Sequence, residues 1–140
     1  MIRQRIHLPQ WCWRAFVYYA VDAYYADEII NLMEELGASD IVLSKASDNM
    51  RANRKNTGLT YSNSKARESV VVIGLTDSPD EFQNTFDHEK GHLCKHICQT
   101  DDIDPYGEEA EYLAGAIGKA MFPIAKKFLC EHCRKSLRRS

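Results

Sequence analysis

The run Asp87-His88-Glu89-Lys90-Gly91-His92 constrains this chain more than any other stretch. It is an H-E-x-x-H pattern, and metal chemistry on an α-helix needs that spacing; the plainer alternative is two solvated histidines on an ordinary helix. Residues four apart sit about 40° apart around the axis, so His88 and His92 project from one face, one turn apart. Two imidazoles so placed can reach one Zn²⁺ at roughly 2.0–2.1 Å. Glu89 lies about 100° round from His88, close enough to touch a metal-bound water and too far round to be a comfortable ligand. A general base for metal-assisted hydrolysis belongs there.

A zinc site that leaves one position open for water needs a third protein ligand. Residues 105–118 (PYGEEAEYLAGAIG) read as a second helix, whose Ala110, Ala114, Gly115 and Gly118 would allow close approach to the first. Glu108 and Glu111 are three apart and share a face, whereas Glu109 points well away from Glu111. Ala114, Gly115 and Gly118 lie on or beside the Glu111 face. Glu111 is therefore the favoured third ligand and Glu108 the reserve. The alternative for each is a solvated acid near a helix start.

With those residues in view, the chain resembles the ImmA/IrrE family of small gluzincin-type metallopeptidases. That family typically shows H-E-x-G-H, then E-x-x-A-N, then a hydrophobic stretch ending near Met-Pro. Here Gly91 matches the first motif, Glu111 and Ala114 the second, and Met121-Phe122-Pro123 the third. The likeness spans roughly residues 70–125, and the single-domain minigluzincins are a second comparison. It implies a zinc peptidase with His88, His92 and Glu111 on the metal and Glu89 as base, cutting a specific protein target. It also implies that the strand before the H-E-x-x-H helix edges the cleft and pairs with an extended peptide. Two features depart from the pattern. Gly115 stands where an Asn or Asp usually steadies a metal-bound histidine, and no helix-turn-helix accompanies the motif. An oxyanion-stabilising donor is expected, with Tyr106, Tyr112 and His96 as candidates.

The fold expected is α+β, one domain over residues 1–140, since 140 residues can bury a sizeable core. A helix is expected over 11–36, where Phe16, Ala20, Ala23, Ile30 and Met33 recur at roughly helical spacing and Gly37 supplies a stop. Residues 1–10 read as irregular. A short strand over 41–43 and a polar loop over 47–57 follow. Residues 58–61 and 69–75 read as two strands, the second β-branched and well covered. Ser78-Pro79-Asp80-Glu81 has the form of a helix start, with Ser78 as N-cap and Pro79 at the first position. That helix runs through the histidines to about residue 98. Pro123 marks an end or kink, and a last helix spans 124–137.

Composition narrows the function further. A net charge of −2 argues against general nucleic-acid binding, although Lys126, Lys127, Arg134, Lys135, Arg138 and Arg139 face only Glu131 in the final stretch. The apolar run over 11–26 is broken by Arg14 and Asp22, too polar for a membrane span and without the form of a secretory signal. Five cysteines, an odd number, fit a reducing, cytoplasmic setting better than a disulfide framework. Cys94, Cys98, Cys130 and Cys133 could form a second, structural zinc site, and Cys12 has no evident partner. The rival to a peptidase is a non-catalytic module in which a closed metal site staples two helices. A third reading is a nucleic-acid binder acting through the basic tail.

Overall fold

The computed structural model describes residues 1–139 and shows an α+β fold built on a four-stranded mixed sheet. The chain runs β1 (Ile2–Leu8), β2 (Trp13–Val21), α1 (Ala26–Glu35), α2 (Asp40–Arg51), β3 (Gly58–Asn63), β4 (Glu68–Gly74), α3 (Pro79–Asp101), α4 (Glu108–Ala125) and α5 (Glu131–Arg139). Strand order is β1-β2-β4-β3. β1 and β2 are antiparallel, β2 and β4 parallel, β3 and β4 antiparallel.

The two inner strands are apolar on both faces because helices cover both. Trp13, Ala15, Val17 and Tyr19 of β2 join Val71 and Ile73 of β4 in one core with Phe82, Leu93 and Ile97 of α3 and Leu113 and Ile117 of α4. The intervening Tyr18, Val21, Val70 and Val72 face the other way, onto Ile29 and Met33 of α1 and Ala46 of α2. This double coverage accounts for the unbroken Val70-Val71-Val72-Ile73 run.

Strands β3 and β4 and the start of α3 fall close to where the residues predict them. The N-terminal third does not. Residues 11–36 divide into a strand, a short 3₁₀ turn and the helix α1, and residues 2–8 form β1. The apparent helical spacing spans two elements, while buried positions in β2 alternate at Trp13, Ala15, Val17 and Tyr19. Residues 41–43 lie in α2, capped by Ser39, whose hydroxyl accepts the Val42 N–H at 3.3 Å. Pro123 sits inside the last turn of α4, where the helix continues to Ala125.

Among the described residues, no helix is long and apolar enough to cross a membrane. In the basic tail, Arg134 is turned inward, 6% exposed, and donates to the backbone carbonyls of Thr76 and Asp77. The side chains of Arg138 and Arg139 lie outside the described residues.

Candidate functional site

Helix α3 begins where its sequence tells it to. Ser78 Oγ accepts the Glu81 N–H at 3.3 Å, Pro79 occupies the first turn, and Asp80 and Glu81 sit at the positive end of the helix dipole. The helix then runs 23 residues, ending at Asp102 in a left-handed conformation. It packs its buried side against β3, β4 and α4.

His88 and His92 meet on one face, with Nε2 atoms 3.1 Å apart and near-perpendicular rings. Two ligands of a tetrahedral zinc, each about 2.0–2.1 Å from the metal, stand roughly 3.3 Å apart, so this spacing suits a shared cation. Glu89 points inward and is 3% exposed. Its Oε1 accepts the Thr60 hydroxyl at 2.9 Å, from the edge strand β3. Burial raises the Glu89 carboxyl above its ordinary range, and the Thr60 hydrogen bond and the nearby histidines pull it partly back. Gly58 is needed here for close approach. A Cβ at that position would collide with the Val72 carbonyl oxygen and stand 2.8 Å from Glu89 Cγ.

His88, Glu89 and Gly58 border a cleft of about 310 Å³ whose other lining residues are Asn56, Thr57, Asn84 and Thr85. Thr85 is 4% exposed, and its hydroxyl has no hydrogen-bond partner among the described residues. One turn beyond His92, His96 Nδ1 is 2.7 Å from Ser62 Oγ, which is 2.6 Å from Ser69 Oγ, which accepts the Trp13 indole N–H at 2.9 Å. Trp13, Ser69, Ser62 and His96 thus form one hydrogen-bonded chain, anchored by the indole N–H, which can only donate. Burial, and secondarily His92, lowers the basicity of His96.

The expected third ligand lies elsewhere. Glu111 is exposed and lines a different groove between α3 and α4, with Gly91, Cys94, Cys98 and Ala114 among its neighbours. Glu108 is exposed at the first turn of α4, where with Glu109 and Glu111 it favours the helix dipole. Among the described residues, no three His, Cys, Asp or Glu side chains form a group able to hold a metal ion. The histidine pair thus fits zinc by its spacing, while the carboxylate is not brought to it. Of the oxyanion candidates, Tyr106 is 95% and Tyr112 69% exposed, while His96 is next to His92. The proposed four-cysteine site does not assemble among the described residues either: Cys98 is buried and Cys94 Sγ donates to the Ala110 carbonyl, whereas Cys130 and Cys133 are exposed on α5 and the turn before it.

Four contributors escaped the sequence: Thr60, Ser62, Ser69 and Trp13. Ser62 and Ser69 are direct cross-strand partners in the β3–β4 register, a relation that strand length alone does not reveal. No family model, no curated protein and no solved structure matches the chain.

Proposed function

We propose that this protein is a metal-dependent hydrolase of peptide bonds, with His88 and His92 as zinc ligands, Glu111 as the third, and Glu89 as the general base. The observation that carries the reading is the buried Glu89 carboxylate beside two imidazole nitrogens 3.1 Å apart, all bordering or adjoining one cleft. Zinc bound there supplies Lewis-acid polarisation of a carbonyl and an acidified water.

The protein's own residues account for the remaining steps. Glu89, buried beside the histidine pair, is placed to take a proton and pass it to a leaving amine. Thr60 fixes one carboxylate oxygen and leaves the other for that transfer. Among the described residues β3 is an edge strand that pairs with β4 on one side, and its outer edge could bind an extended peptide by strand addition, as in gluzincin-like folds. His96, half-buried beside His92, is the best-placed oxyanion donor of the three candidates. Glu111 lines the groove that also holds Gly91, and reaching the histidines requires it to move from there.

The test pairs metal content with turnover. Native mass spectrometry should find one zinc in the wild type and in Glu89→Gln, and none in His88→Ala. Cleavage of a peptide library should occur only in the wild type. Turnover retained by Glu89→Gln would sink the mechanism. The rival reading is a non-catalytic module in which a closed metal site staples two helices. A bound zinc that a small hydroxamate fails to reach, with no library peptide cleaved, would favour it.

A further inference from the structure

Outside that site, one pair of nucleophilic groups stands in a reactive arrangement. Cys130-Glu131-His132-Cys133 forms the turn into α5, with both thiols exposed. Cys130 immediately precedes the first residue of the nine-residue helix, and its sulfur accepts the Cys133 backbone N–H at 3.2 Å. This i,i+3 hydrogen bond is the geometry of an N-cap, and it brings the two side chains together. Residues three apart across such a turn have Cα atoms within the roughly 4.4–6.8 Å a disulfide requires.

From this juxtaposition we propose that Cys130 and Cys133 are a redox-active dithiol that exchanges with small-molecule disulfides of the glutathione class, Cys130 attacking and Cys133 resolving. The asymmetry between the thiols supports the assignment of roles. Cys130 is held below the ordinary thiol range, first by a hydrogen bond from the Cys133 side chain and then by the backbone N–H groups of Cys133 and His132, against a smaller opposing effect of Glu131. Cys133 is raised, chiefly by donating that hydrogen bond. A thiolate stabilised at a helix start, exposed, with a second thiol in reach, is the arrangement that favours exchange. The buried Cys98 and the half-buried Cys94 offer no such pair: burial pushes Cys94 up to about 11.

The chemistry closes without further reagents. The Cys130 thiolate attacks one sulfur of the small disulfide, a mixed disulfide forms, and one small thiolate leaves. Cys133 loses its proton and attacks Cys130 Sγ, the mixed disulfide breaks, and the second small thiolate leaves. The protein pair gives up two electrons, the small disulfide becomes two thiols, and those thiols take the two protons the cysteines release.

The whole chain, equilibrated with mixtures of reduced and oxidised glutathione and mapped by peptide mass spectrometry, tests the proposal. The expected result is a Cys130–Cys133 disulfide that appears at oxidising ratios and disappears at reducing ones. Cys133→Ser should trap glutathione on Cys130, whereas Cys130→Ser should leave Cys133 unmodified over the same time. At neutral pH Cys130 should alkylate about tenfold faster than the exposed Cys12. No disulfide between these positions at any ratio, equal glutathione capture by the two single variants, or alkylation of Cys130 no faster than of Cys12 would each overturn it.

Discussion

Folding takes the Glu89 carboxyl out of water and returns it one hydrogen bond, from Thr60. Its folded pKa is therefore raised above the unfolded value. The sign follows by linkage: its contribution is most favourable below the unfolded carboxylate range, about pH 4, and is lost as pH rises through the raised folded value. Glu89→Gln keeps the Thr60 contact and removes the buried charge. That variant should melt at a higher temperature than the wild type at pH 7, with the gain shrinking near pH 4, while any hydrolysis falls at least about 100-fold. Equal melting temperatures at both pH values would contradict the burial argument. Gly58, two residues before Thr60 on β3, leaves room for the same side chain. Gly58→Ala forces a methyl against the Val72 carbonyl and Glu89 Cγ, and should destabilise the protein by about 1–3 kcal/mol in urea unfolding. An unchanged midpoint would mean that β3 slides away from β4 at no cost.

Helix α3 is the element whose sequence and structure agree most closely. The Ser-Pro-Asp-Glu start is local chemistry, satisfied within one turn, so no tertiary knowledge is needed to read it. Ser78→Ala removes the acceptor for the Glu81 N–H and should cost about 1 kcal/mol, read as a lower denaturation midpoint. A loss confined to measurement error would place the start of α3 elsewhere. His88, Glu89 and His92 were likewise legible, because their shared or adjacent faces follow from helical spacing alone. The approach of Glu111 was not, since it depends on the depth and rotation at which α4 docks on α3. The N-terminal segment misled for a different reason. Trp13, Ala15, Val17 and Tyr19 alternate as a strand does, but Phe16 and Tyr18 are apolar too, because the sheet is covered on both faces, and the alternation is masked.

At the scale of the molecule, one side chain braces parts of the chain distant in sequence. Arg67, in the β3–β4 turn, donates to both Asp101 oxygens at 2.8 and 2.7 Å, to the Trp11 and Cys12 carbonyls, and stacks on Trp13. It ties the end of α3 to the β1–β2 connection. The hydrogen bonds from Arg67 lower the Asp101 carboxyl, so this brace stabilises above the unfolded carboxylate range and is lost as pH falls through the depressed folded value. Both side chains are partly exposed, so solvent screens the pair. Asp101→Asn should cost about 0.5–1 kcal/mol at pH 7 and almost nothing near pH 2, measured by chemical unfolding at the two pH values. A cost independent of pH would assign the effect to packing.

The parallel pairing of β2 with β4 joins residues 14–18 to residues 68–72, across both covering helices and the whole of β3. The β1–β2 hairpin leaves the ribosome before β4 does, and its inner edge lacks its β4 partner until Glu68–Gly74 has been made. During synthesis, then, an apolar strand with an open side waits for its neighbour, and the nascent chain is most prone to sticking to other chains in that interval.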